Sequence, residues 1–402
     1  DLLTADASRT FDENVRSGEG VKNAKPTEIH TTILKLLSDV VKQRPALAAT
    51  SLQKLGVHLQ KWSAARHDVV VEAAYQTFAA DLPPATQRQA QLALARLWFT
   101  QVLRAHNRIL TNGFLVARAL DAQSQKALQQ CYQLASSLGA GDPLLADIRA
   151  LRMQIVDHYL ALEYEDIAEA AIKVKAAPAN ADLDEEAELE LAGLKRRIAE
   201  RQLARQLKQH DGQKLIVLTP AFNEAIAALK KFITDHPTSE RVPTAADGVF
   251  VIGRRFEQYE AWLVAAGIYA DFEQFAAEID SLLQARPGQS TYPERAAIAR
   301  ASTLHTRASR ALQAWNTAKP DDAPPPAELS EEFQAAQTAW QKVIADYQQR
   351  PVAQTAIARI MGIAQEYAGL NAWDVADATY AALLGLELPL RSPERLEFGR
   401  AI

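Results

Sequence analysis

Residues 222–272 read FNEAIAALKKFITDHPTSERVPTAADGVFVIGRRFEQYEAWLVAAGIYADF, and residues 333–383 read FQAAQTAWQKVIADYQQRPVAQTAIARIMGIAQEYAGLNAWDVADATYAAL. Set one over the other, 111 positions apart and without a gap, and identities fall in register at Phe222/Phe333, Ala225/Ala336, Lys231/Lys342, Ile233/Ile344 and Asp235/Asp346. They continue through Ala245/Ala356, Trp262/Trp373, Ala265/Ala376 and Tyr269/Tyr380. Self-similarity at a fixed period is the mark of a solenoid, in which each unit buries its apolar face by stacking on the next.

The rest of the chain reads as helix after helix. Ile29, Ile33, Leu36, Leu37, Val40 and Val41 follow the spacing of one buried helical face, and Pro45 closes that segment. Prolines then punctuate the sequence at 83–84, 143, 178, 220, 237, 243, 287, 293, 320–326, 351 and 389, which leaves helices joined by short turns. Thr219-Pro220 and Ser392-Pro393 each offer a capping hydroxyl before a proline at the first helical position. Ser330 is a third N-cap, followed by two acids that suit the helix dipole. Leu215–Leu218 is the one strand-like run, and a buried loop explains it better than a sheet without partners.

Four segments follow. Residues 1–26 are polar and aperiodic, an extended or poorly ordered lead-in; 27–180 form an N-terminal helical array; 181–212 form a long charged connecting helix; 213–402 form a C-terminal array. The connecting helix carries acids at its front (Asp182, Asp184, Glu185, Glu186) and bases at its back (Arg201, Arg205, Lys208) around a narrow stripe of Leu191, Leu194 and Ile198. That pattern fits a solvated helix, with a partner-docking arm as the alternative.

The chain of 402 residues has a net charge of −5, so nothing in its electrostatics points to nucleic acid or to an anionic membrane. Its single cysteine, Cys131, allows no internal disulfide, and it occupies an apolar helical position. No apolar run approaches the roughly 18 residues of a membrane span. Among the short motifs, no phosphate loop, His-Glu-x-x-His or Gly-x-Ser-x-Gly is present. The eight histidines are dispersed, and no cofactor or metal site is indicated.

Inside the duplicated block, Val249, Ile252, Gly253, Phe256, Ala265, Tyr269 and Phe272 match Ile360, Ile363, Ala364, Tyr367, Ala376, Tyr380 and Leu383. This spacing resembles the tetratricopeptide repeat, a helix–turn–helix unit of about 34 residues. Weaker copies place Leu52, Leu55, Gly56 and Leu59 with Val71, Tyr75 and Phe78, and Tyr159 with Ala168 and Ile172. A segment read as one long helix, Trp262–Arg286, departs from the family pattern. Residues 232–239 and 259–272 are similar to repeats of bacterial envelope proteins, which favours a periplasmic or envelope location over a cytoplasmic one.

The resemblance implies an all-α, right-handed superhelical solenoid of antiparallel helix pairs, irregular in places, that acts as a non-enzymatic protein-interaction scaffold. Family groove positions carried onto this sequence are Asp247, Phe250, Arg254, Glu257 and Gln258, then Met361 and Gln365, with Met153 and Asp157 from a weaker copy. Met adapts to irregular surfaces, so an apolar, plastic groove for peptide segments or other proteins is expected, with packing against a neighbouring helix as the alternative. Two other functions remain open: a structural subunit of a large oligomer, and a helical-toroid enzyme acting on polysaccharide. Finally, Pro293-Glu294-Arg295 recurs as Pro393-Glu394-Arg395 and Arg300-Ala301 as Arg400-Ala401, so the natural polypeptide is expected to run on past Ile402.

Overall fold

A computed structural model of the chain describes residues 28–64, 68–113, 119–139, 141–177, 179–209, 216–280, 290–320 and 323–386. The expected lead-in and the second Pro-Glu-Arg segment, with the Ser392-Pro393 cap, lie outside the described residues. Among the described residues the fold is all-helical, and Ile216–Leu218 enter the next helix as irregular backbone rather than strand.

The chain divides into two compact units at Ala187/Glu188. The first holds α1 (Glu28–Gln43), α2 (Ala48–Ala64), α3 (Asp68–Ala79), α4 (Pro84–Asn112), α5 (Ala122–Ser136), α6 (Leu144–Ala161), α7 (Glu165–Ile172) and the start of α8 (Ala181–Gln209). The second holds the rest of α8, then α9 (Pro220–Asp235), α10 (Val242–Gln258), α11 (Trp262–Glu278) and α12 (Tyr292–Ala318). It continues through α13 (Glu331–Asp346), α14 (Pro351–Ala368) and α15 (Trp373–Leu384). Consecutive helices pack against each other from α1 to α7 and from α9 to α15, and α4–α6, α10–α12 and α12–α14 are also in direct contact. Each unit is therefore a row of helical hairpins in which α10, α12 and α14, or α4 and α6, are the first helices.

Three of the hairpin turns are built alike. Glu163, Glu260 and Asn371 sit in the left-handed region, at φ 69°, 58° and 63°. The N–H groups of the next residues, Tyr164, Ala261 and Ala372, donate to the carbonyls of Tyr159, Phe256 and Tyr367 at 2.9–3.0 Å. This is the six-to-one bond of a Schellman ending, which satisfies orphan carbonyls of the first helix and reverses the chain. Asn tolerates the left-handed region and Glu does so at a cost, so the turn is set by the packing on both sides rather than by a glycine.

Packing explains the small residues of the repeat. Phe222, Phe256, Tyr269 and Phe272 are at most 1% exposed and fill the core of α9–α11; Phe333, Trp340, Tyr367 and Leu383 do the same for α13–α15. Each fully buried aromatic of this kind contributes about 1.5–3 kcal/mol. A Cβ on Gly253 would meet the Tyr269 ring at 2.4 Å, so the glycine is what lets α10 and α11 close. In the first unit the weaker copies also fill the core, with Leu55, Val71, Phe78, Tyr159, Ala168 and Ile172 at 3% exposure or less. Cys131 is fully buried there, and burial pushes its thiol up to about 12.

Three expectations need correcting. The long helix read over Trp262–Arg286 ends at Glu278; the long ones are α4, α8 and α12, of 29, 29 and 27 residues. Helix α8 is not a solvated connector, since no residue from Leu189 to Arg205 is exposed. Its stripe of large apolar residues is narrow, but Ala192 and Ala199 widen it into the α9–α11 core, and half-buried charged stems flank it. Thr219 stands at the N-cap of α9 yet makes no capping bond, and its hydroxyl is buried without a partner; Ser330 does cap α13, accepting from the Phe333 N–H at 3.3 Å.

Candidate functional site

The first helices of the second unit present their side chains along one face, and polar bridges join neighbours across it. Between α8 and α10, Arg255 reaches Glu200 at 4.0 Å, and Glu200 is also held by Arg196 at 2.6 Å. Between α10 and α12, Asp247 pairs with Arg295 at 2.6 Å, Thr303 donates to Glu257, and Arg310 pairs with Glu260. Between α12 and α14, Glu366 accepts from Ser309 at 3.0 Å and from His305 Nε2 at 3.3 Å. His305 Nδ1 accepts the Trp340 indole N–H, which fixes the proton of that imidazole on Nε2.

These bridges recur at one position. Arg255 and Glu366 each precede the buried aromatic of the last turn, Phe256 or Tyr367, and each reaches back to the helix two before its own, α8 or α12. In the first unit the equivalent residue is His158, which precedes Tyr159 and bonds to His106 of α4 at 2.8 Å. Most of these charged groups are partly exposed, so each bridge contributes up to about 1 kcal/mol; the value of the set lies in holding register.

The residues expected to line a groove divide into two kinds. Phe250 is a correction: it is 4% exposed, packs on Tyr269 and Phe272, and lies under the Arg295 guanidinium at 4.7 Å. It is core because α12 crosses the face at that point. Met153 is half-buried in the first unit. Met361 is half-buried too, against Ala364, Ala376 and Tyr380. Glu257 is half-buried beneath Thr303. The exposed members are Asp247, Arg254, Gln258 and Gln365 in the second unit and Asp157 in the first. In each unit the exposed members are polar, and among these residues no apolar, plastic groove is formed.

The sequence pointed to none of Arg295, Thr303, His305, Glu366 or the His106–His158 pair. The available signal was the residue before each last-turn aromatic, which varies among His, Arg and Glu and so carries no motif. On the second-helix side, a cleft of about 1060 Å³ opens between α11, α12 and α13. At its wall Glu273, 7% exposed, is held by Lys342 and by Arg300 at 3.6 Å. Asp280, Asp346 and Arg350 also line it, so positive and negative charges offset and no one sign of ligand is selected. Among the described residues no group of His, Cys, Asp or Glu is placed to hold a metal ion, and no helix is long and apolar enough to cross a membrane.

No protein-family model matches the chain, and no curated protein matches it. Two solved structures are similar to it at a low level. One is a circular tandem repeat protein with novel repeat topology, 12% identical over 99% of this chain and 84% of that one, with a TM-score of 0.25. The other is described as the hypoxic regulator of sterol synthesis Nro1, a nuclear import adaptor, 12% identical over 92% of this chain and 98% of that one, with a TM-score of 0.26. Scores of that size do not establish a shared fold, and the helical repetition rests on this chain's own duplicated hairpins.

Proposed function

We propose that the chain is a non-enzymatic scaffold of tetratricopeptide type that binds a protein or peptide partner along its first helices. One observation carries this reading: Arg254, Gln258 and Gln365 stay exposed on helices whose other faces are locked into a repeated frame. Side chains held at fixed spacing on rigid helices recognise a partner without paying ordering entropy. The polar character of the face favours a hydrogen-bonding, extended or charged segment over an apolar helix. The tetratricopeptide spacing and the likeness of residues 259–272 to bacterial envelope repeats support a place in an envelope-associated assembly.

The double variant Arg254→Glu, Gln365→Lys tests the reading, because both positions are exposed and neither is in the core. It is expected to lose captured partners at least about tenfold, for two hot contacts of roughly 1 kcal/mol each, while its melting temperature stays unchanged. An unchanged partner set rules out this face. A second reading, a structural subunit of an oligomer, is favoured by Leu263 and Trp373, 60% and 54% exposed. It requires a defined multimer by light scattering where the first reading requires a single chain.

A further inference from the structure

His106, 22 residues into the long helix α4, is 3% exposed, yet it meets a second histidine. Its Nε2 lies 3.1 Å from Asp121 Oδ2 at the start of α5, and its Nδ1 lies 2.8 Å from His158 Nε2 on α6. The rings stack at 5.0 Å, and Phe99 meets His158 edge-on. Tyr159 donates to the same Asp121 and shares a 3.0 Å bond with the fully buried Ser124.

Donor and acceptor bookkeeping leaves one arrangement at neutral pH. A carboxylate only accepts, so His106 carries its proton on Nε2, and its Nδ1 is an acceptor. His158 must then donate from Nε2, which leaves its own Nδ1 with a lone pair. The chain runs His158 to His106 to Asp121, and it ties α4, α5 and α6 together at the bridge position that Arg255 and Glu366 occupy in the second unit.

We propose that this histidine pair is an acid-released latch between α4 and α6. One proton can be added at His158 Nδ1, and the resulting imidazolium still donates to His106. A second proton has only His106 Nδ1 to go to. That removes the acceptor, breaks the bond and leaves two cations in contact, so the doubly protonated pair exists only with the rings apart and hydrated.

The surroundings agree in sign. Burial first, and then the neighbouring His106 imidazole, hold His158 below the usual histidine range, with Asp121 opposing. Facing the pair are Asp121 from α5 and Tyr159 from α6; the charged neighbours in sequence, Arg108 and Asp157, are exposed. A histidine whose folded pKa is depressed stabilises the fold fully above about 6.5, and that contribution is lost as the pH falls through the folded value. At the equivalent bridges no imidazole meets another: Arg255 faces Glu200, and His305 donates to the Glu366 carboxylate.

The test is hydrogen exchange on the whole chain at pH 7.5 and 5.5, corrected for the intrinsic pH dependence of exchange. Protection over residues 100–112 and 152–161 is expected to fall by up to about tenfold, the most that a depressed histidine can lose one pH unit below its unfolded value, with residues 220–258 as the unmoved reference. His158→Gln is expected to abolish the loss, because an amide can donate to or accept from His106 in either protonation state. The same loss in His158→Gln, or none in the parent chain, overturns the latch. Should that variant not fold, ¹⁵N imidazole spectra of the parent chain decide: His106 protonated on Nε2, with His158 titrating below about 6.5, supports it. A proton on His106 Nδ1 at neutral pH refutes it.

Discussion

Gly253→Ala is expected to destabilise the second unit by about 2 kcal/mol, although alanine is the better helix former by about 1 kcal/mol. The added methyl would lie 2.4–2.7 Å from two ring carbons and the hydroxyl of Tyr269, which is 1% exposed and wedged beside Phe250 at 5.9 Å. A ring so placed moves only by displacing its neighbours, and overpacking of that kind costs about 1–3 kcal/mol. Gly267, on the same hairpin, has nothing within 4 Å of its would-be methyl. Gly267→Ala should therefore stabilise by about 0.5–1 kcal/mol. Urea midpoints of the two variants should move in opposite directions. Equal shifts would mean that α10 and α11 do not approach as described. In the second copy Ala364 takes the glycine's place beside Tyr380, so that hairpin already accommodates the methyl.

The last-turn aromatics supply the second large effect. Tyr367 accepts the Ser330 N–H at 2.9 Å, and Tyr159 bonds Ser124 and Asp121, so each hydroxyl ties a first helix to the start of the preceding second helix. The third copy has Phe256 instead. Thr219, which stands 111 positions before Ser330, there lacks a phenol to accept its backbone N–H, and its hydroxyl is also buried without a partner, within reach of a phenol at the same place. Phe256 meets Phe222 edge-on at 5.0 Å much as Tyr367 meets Phe333 at 5.4 Å, so the ring is already in position. Phe256→Tyr should then satisfy Thr219 and stabilise by about 1 kcal/mol. Tyr159→Phe, which strands the buried Ser124, should cost about 1–3 kcal/mol. The substitution that adds a hydroxyl and the one that removes it are thus expected to have opposite signs in thermal melts. A loss of stability in Phe256→Tyr would show that the two copies are not superposable at this position.

Much of this was legible in the sequence because the hairpins repeat. Identical spacing of Gly253/Ala364, Ala265/Ala376 and Tyr269/Tyr380 forces the same close approach twice, and periodicity reports burial directly. The left-handed turns were not legible, since Glu163 and Glu260 give no turn signal of their own and are set by flanking packing. Helix α8 misled for a related reason: alanines at 192 and 199 bury as effectively as leucines when the neighbouring core is deep, yet add little to an apolar stripe. Phe250 misled because a family position was carried over without its neighbour. The long helix α12, with Arg295 near its start, covers a site that an ordinary repeat leaves open. The same covering explains why the exposed part of the face is polar.

The claim on which the account depends is that partners dock on the first-helix face. A photo-crosslinking residue placed at Gln258 or Gln365, and separately at Lys231 on α9, whose side chain is 73% exposed, reports directly on it in the living cell. Discrete heteromeric adducts at Gln258 and Gln365, with none at Lys231, are the predicted result. Adducts at Lys231 alone, or equally at all three, would contradict it.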